Sequence, residues 1–251
     1  MAALTERVQV LGQPVDRVAM DEAVAMISRW LEEGLPAGGA ARLVVTANPE
    51  IVYNARRDRE LARVLAQAPL VVADGIGIVW AARRYGRPVP ERVPGVDLMM
   101  ALLERAAQRG WRPFFLGTRP QVVARAVQRA EQLFPGLAIA GYHHGYFHDK
   151  DEERVLAQIR QAAPDLVFAG MGARRELTWL HRHRQALGVP VAMGVGGSLD
   201  VLAGEVQRAP GWVQAVHLEW LYRLLKEPRR WRRQAVLPLF VLAVLQDSRR
   251  G

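Results

Sequence analysis

No cysteine occurs among the 251 residues. Disulfides, thiolate metal sites and cysteine nucleophiles are therefore excluded together, and the composition fits a reducing compartment. Long uncharged apolar runs are missing too. None approaches the roughly 20 residues that a spanning helix needs. The longest, 235–245, is interrupted by Pro238 and suits lying on a bilayer rather than crossing it. The first residues carry an acid at Glu6 and have no apolar core, so they do not read as a secretory signal. Lysine is nearly absent: Lys150 and Lys226 are the only two, and the remaining Lys/Arg charge is arginine. That bias is assigned no function by itself. No internal repeat or low-complexity tract is present.

What is there describes a folded protein. Half of the residues are hydrophobic, and the length suffices for one α/β domain with an appendage. The net charge of +9 is unevenly spread: residues 207–251 hold nine Arg/Lys against three acids, which accounts for +6 of it. Basicity belongs to the tail. The strand signals also stop near Arg208, so the chain divides into a domain over 1–206 and an appendage over 207–251.

The periodicity predicts a short hairpin at 8–10 and 13–18 around Gly12, then an amphipathic helix over 21–33. Apolar strands ending in small polar clusters follow, Leu43 to Glu50 and Leu70 to Gly77. Helices are expected at 50–58, 60–67, 76–85, 96–108, 120–134, 151–162 and 175–187. Further strands are expected at 113–116, 138–142, 165–169 and 190–195. Apolar strands alternating with helices of ten or more residues predict βαβ units, hence a Rossmann-like, mainly parallel sheet flanked by helices. Thr46, Asn48 and Asp74 then fall where strands release the chain, the edge at which open α/β sheets bind ligands.

Three glycine-bearing turns share that edge: Asp74-Gly75-Ile76-Gly77, Leu116-Gly117-Thr118-Arg119-Pro120 and Met193-Gly194-Val195-Gly196-Gly197-Ser198. Such turns allow close approach of a phosphate or ribose, although a sharp turn needs glycine regardless. Trp80 stands where the dinucleotide fingerprint has its third glycine, which counts against a nicotinamide enzyme. The bland reading of Asp74 is a helix cap. Its company favours a reaction site, because a pure anion binder gains nothing from a carboxylate there.

Two metal readings are weighed and set aside. His143 and His144, adjacent on a strand, should point to opposite faces, with no acid spaced to complete a site. Asp149-Lys150-Asp151 is better explained by Asp149 as a helix N-cap followed by an acidic first turn. No metal or cofactor is expected.

The tail interleaves arginine with aromatic and aliphatic residues between Trp220 and Arg233. Nucleic acid, an anionic membrane surface and an active-site diphosphate all suit it. The apolar stretch that follows favours the membrane over nucleic acid, and a solvated helix face is the bland alternative.

Several motifs, in order and spacing, resemble the WecB/TagA/CpsF glycosyltransferases. They are Thr46-Ala47-Asn48-Pro49-Glu50, Asp74-Gly75-Ile76-Gly77, Glu91-Arg92-Val93-Pro94-Gly95-Val96-Asp97-Leu98, Phe115-Leu116-Gly117 and Gly145-Tyr146-Phe147. Gly194 to Asp200, Ala203-Gly204, Arg208-Ala209-Pro210, Leu218 to Arg223 and Glu227-Pro228-Arg229-Arg230 continue the match. The resemblance runs from about residue 8 to about 233.

The resemblance implies an inverting, metal-independent transferase on the inner face of the cytoplasmic membrane. It would move a sugar, N-acetylmannosamine first among the candidates, from UDP to a polyprenyl-diphosphate-linked N-acetylglucosamine for teichoic acid or other surface polysaccharide. Asp74 would be the base, and Thr46 and Asn48 would position substrate. Arg92, Gly117, Glu176, Gly196, Gly197 and Asp200 would bind it. Arg223, Arg230 and Arg233 would close over the diphosphates in a membrane-targeting tail, and homo-oligomerisation is left open. The family usually reads Gly-Ala-Pro-(Lys/Arg)-Gln-Glu-x-Trp where this chain has Gly172-Ala173-Arg174-Arg175-Glu176-Leu177-Thr178-Trp179. The competing class is a non-catalytic Rossmann-like protein whose basic arm binds nucleic acid or membrane.

Overall fold

A computed structural model describes residues 6–207, 209–210, 222 and 235–248. Six strands form one sheet in the order β4-β3-β8-β7-β5-β6, every pairing parallel. They are β3 (Arg42–Ala47), β4 (Leu70–Ala73), β5 (Pro113–Gly117), β6 (Gly141–His143), β7 (Leu166–Gly170) and β8 (Val191–Gly194). β4, β5, β7 and β8 are buried along their whole length, and β3 in all but Arg42. Continuous apolar runs of this kind are what a sheet covered on both faces requires.

Two hydrophobic cores supply the cover. One face packs α2 (Pro49–Ala55), α3 (Arg59–Gln67), α4 (Ile76–Arg84), α7 (Glu152–Ala162) and α8 (Ala173–His183). The other packs α1 (Met20–Glu33), α5 (Gly95–Arg109), α6 (Pro120–Leu133) and α9 (Ser198–Leu202). The chain leaves β3 and β7 toward the first face but β8 and β5 toward the second. Neighbouring strands thus send their connections apart, and crevices open between them at the carboxyl edge.

The hairpin β1 (Arg7–Val10) and β2 (Gln13–Asp16) guards the β4 edge. Val71 N–H donates to Asp16 Oδ2 at 2.7 Å, and Arg7 Nε donates to Asp16 Oδ1 at 2.9 Å. Asp16 is fully buried. An edge N–H that could template another strand is occupied instead by a paired carboxylate.

The terminal helix α10 (Val236–Asp247) packs against α2 and α4. Pro238 sits in its first turn, where a missing N–H removes no helical bond. Phe240, Ala243 and Val244 are buried in the first core, whereas Leu239, Val241 and Leu242 face outward. Tyr85 Oη donates to Asp247 at 2.7 Å, tying the far end of α10 to α4.

Three details depart from the sequence reading. The edge strand β6 begins at Gly141, not at 138, because Ile139 is drawn into the second core from a loop. Since β6 ends at His143, His144 is not on a strand, and the two imidazoles lie 4.4 Å apart rather than on opposite faces. Asp149 is not an N-cap either. It opens a short 3-10 turn, Asp149–Asp151, and Asp151 Oδ2 accepts from His148 N–H at 3.3 Å.

Candidate active site

A cavity of about 570 Å³ opens at the carboxyl edge of the sheet, and segments following all six strands contribute to its wall. Thr46, Asn48 and Asp74 meet there. The loops that carry them touch: Asp74 N–H donates to Ala47 C=O at 2.9 Å. A Cβ on Gly75 would sit 2.9 Å from Pro49 Cδ, and one on Gly77 2.7 Å from Pro49 Cγ. Those two glycines thus make room for the proline that opens α2. Their close approach serves the meeting of two strand ends.

Asp74 is not the cap of α4. The cap position is Gly75, with no side-chain hydrogen bond. Asn48 is the cap of α2, its Oδ1 accepting from Ile51 N–H at 3.0 Å. That leaves the amide NH₂ as the group Asn48 can offer a ligand. Thr46 is buried, and its hydroxyl donates to Gly194 C=O at 3.2 Å. Thr46 therefore ties β3 to the end of β8 from inside the wall.

Glu176 lies beneath the floor at 2 % exposure. Its Oε2 accepts from Met171 N–H and its Oε1 from Gly196 N–H, both at 2.9 Å. One carboxylate clasps the turns after β7 and β8. Gly196, Gly197 and Asp200 line the cavity as well, and so does Arg92, in the loop before α5. Gly117 stands just behind the lining. Its φ is 152°, and a Cβ there would fall 2.3 Å from Gly170 O, so glycine is demanded by the close approach of β5 and β7. Arg223, Arg230 and Arg233 lie outside the described residues.

Tyr146, Arg175, Arg119 and Thr118 are among the lining residues outside the sequence's site candidates. Tyr146 places an exposed ring at the cavity. Arg175 holds the loop that carries it, donating to Gly145 C=O at 2.8 Å and Phe147 C=O at 2.6 Å with its guanidinium 4.9 Å from the Phe147 ring centre. Arg119 donates to Glu205 at 2.8 Å. Thr118 donates to Asp200 Oδ1 at 2.5 Å. Their signals lie in Gly145-Tyr146-Phe147 and in Leu116-Gly117-Thr118-Arg119-Pro120. Among the described residues, no three His, Asp or Glu side chains gather as an ion site. His143, behind the Tyr146 loop, is held below the usual histidine range by burial, partly offset by its hydrogen bond to His144 C=O.

The arrangement joins a carboxylate, an amide donor, arginines and a glycine turn around one polar cavity. That set suits a substrate bearing both hydroxyls and phosphates. A family model described as glycosyl transferase WecG/TagA/CpsF family matches residues 8–251. Over 206 residues the chain is 41% identical to an N-acetylglucosaminyldiphosphoundecaprenol N-acetyl-beta-D-mannosaminyltransferase of Bacillus spizizenii, covering 82% of this chain and 79% of that one. A protein of the same name from Bacillus subtilis is 35% identical over 207 residues, with 82% and 80% covered. One from Staphylococcus aureus is 34% identical over 246 residues, with 98% and 95% covered.

Proposed function

The chain belongs to the WecG/TagA/CpsF family of glycosyl transferases, and from that premise we propose that it moves N-acetylmannosamine from UDP to a polyprenyl-diphosphate-linked N-acetylglucosamine, with inversion and without a metal. The names of the relatives support the sugar and the acceptor. The observation that carries the reading is Asp74, a carboxylate on the cavity wall that does not cap the helix after it.

In a single displacement the acceptor hydroxyl attacks the anomeric carbon, and the bond from that carbon to the UDP oxygen breaks. Asp74 takes the hydroxyl proton as the new bond forms, and UDP leaves with the electron pair. A carboxylate set on the wall of such a cavity can serve as the general base of this displacement. Asn48 offers its amide NH₂ to substrate oxygens, while Thr46 and Glu176 fix the turn that bears Gly196 and Gly197. Arg92 and Arg119 on the wall, with Arg223, Arg230 and Arg233 of the tail, would balance the charge that gathers on the leaving diphosphate.

The protein would work as a peripheral enzyme on the cytoplasmic face of the membrane. Among the described residues no helix is long and apolar enough to cross a membrane. Leu237 of α10 lines the cavity, while Leu239, Val241 and Leu242 expose an apolar surface on the same helix. A lipid-linked acceptor needs such a surface beside the site.

The test is UDP release from UDP-N-acetylmannosamine with lipid-diphosphate N-acetylglucosamine, in EDTA. Acceptor-dependent release is expected. Asp74→Asn should lose roughly 10²–10⁴-fold in turnover while still melting cooperatively and binding UDP. Turnover unchanged in that variant removes Asp74 from the mechanism, and loss of release in EDTA refutes metal independence.

A further inference from the structure

We propose that Thr118 is a positioning residue that aims the Asp200 carboxylate into the cavity. Three non-glycine residues among those described have positive φ: Leu11, Thr118 and Ala163. Leu11 precedes Gly12 in the β1–β2 turn, and Ala163 ends α7, both places where chain reversals and helix ends use that conformation. Thr118, at φ 48°, lies in the turn between β5 and α6. It is β-branched, the kind of side chain that region tolerates least.

Three hydrogen bonds hold it there. Its N–H donates to Gly170 C=O at 3.0 Å, and its C=O accepts from Gly145 N–H at 2.9 Å. These fix the backbone between the end of β7 and the segment that follows β6, and a glycine would make both without strain. The third needs the side chain: Oγ1 donates to Asp200 Oδ1 at 2.5 Å, across 82 residues of sequence. A strained residue is kept where a relaxed one would serve the backbone equally well. What the threonine adds is the hydroxyl.

Thr118 and Asp200 both line the cavity. Among the described residues, the Thr118 hydroxyl is the one hydrogen-bond donor to the Asp200 carboxylate. Anchoring Oδ1 leaves Oδ2 as an acceptor of fixed direction for a hydroxyl or N–H of the ligand. Fixing that direction before binding removes ordering that the ligand would otherwise have to bring about. The choice of UDP as probe rests on the function proposed above; the anchoring itself does not.

The experiment uses the full-length protein and three variants. Thr118→Val keeps the β-branched shape and removes the hydroxyl, Thr118→Ser keeps the hydroxyl, and Asp200→Ala removes the partner carboxylate. By calorimetry, Thr118→Val should bind UDP about tenfold more weakly, the scale of one hydrogen bond to a charged group. Thr118→Ser should bind like wild type. Thr118→Val should add nothing further in an Asp200→Ala background, because both changes act through one carboxylate. In turnover the Val variant should raise KM and spare kcat.

A crystal structure of Thr118→Val forms the ligand-independent arm, with the Asp200 carboxylate expected to turn away from its present direction. An unmoved carboxylate overturns the proposal, as does a full Thr118→Val effect in the Asp200→Ala background. Should the Val variant fail to fold, Thr118→Ala removes the same hydroxyl with less crowding and carries the same expectations. Wild-type protein that ignores UDP would fault the function proposed above, while the crystallographic arm still decides Thr118.

Discussion

Replacing Glu176 by glutamine changes one atom's chemistry in a buried clasp. Both carboxylate oxygens accept a backbone N–H, one from Met171 and one from Gly196, each at 2.9 Å. Glutamine has one acceptor oxygen, so its NH₂ must face the other N–H, donor against donor. A buried N–H left unsatisfied costs about 1–3 kcal/mol, and the surviving bond weakens from charged to neutral. Relief of carboxylate burial offsets part of this. A net loss of about 2–3 kcal/mol is expected, which for a chain of this size lowers Tm by roughly 5–10 °C. Calorimetric melts at neutral pH measure it. Glu153→Gln is the control, since Glu153 pairs with Arg160 in the open and such pairs contribute little. An E176Q protein that melts with wild type would refute the clasp.

The two sides of α10 should separate in a paired test. Phe240→Ala, within the core, should cost about 3–5 kcal/mol in urea unfolding. Leu239→Asp with Leu242→Asp, on the exposed side, should leave the melt unchanged and weaken binding to anionic liposomes; unchanged binding would exclude this face from membrane contact. Burial holds His143 and His181 below the ordinary histidine range of about 6.5. The unfolded chain then takes up protons that the folded chain refuses, so stability falls as pH drops below that value toward the folded pKa. Melts between neutral and mildly acid pH should decline, and less steeply in His143→Gln; equal slopes would show that His143 does not contribute.

The parallel sheet was legible because its strands are short apolar runs bounded by turn residues, and Thr46, Asn48 and Asp74 follow from those boundaries. What stayed hidden depends on contacts distant in sequence. Gly75 and Gly77 look like a phosphate turn until Pro49 is seen against them. Gly117 looks like a ligand contact until Gly170 O is found where its Cβ would be. β6 was displaced because an edge strand of three residues is set by its neighbour more than by its own pattern. Glu176 reads as a departure from a family motif. Only the fold brings Met171 and Gly196 to its two oxygens. The helix α9, five residues long, is too brief to show a period.

The wall of the cavity divides its polar groups by what they already hold. Thr46 gives its proton to Gly194, Glu176 accepts from Met171 and Gly196, and Arg175 grips Gly145 and Phe147. These side chains shape the site. Asn48 is divided, its oxygen on α2 and its amide NH₂ available. Asp200 is divided in the same manner, one oxygen on Thr118 and the other open to a ligand. A carboxylate or amide tied at one end is aimed at the other, so the capping of α2 and the anchoring by Thr118 are how the fold gives direction to its recognition groups. Substitutions of the first set should therefore register in Tm as well as in rate. Melts run beside kinetics on these substitutions would show whether the wall is divided in this way.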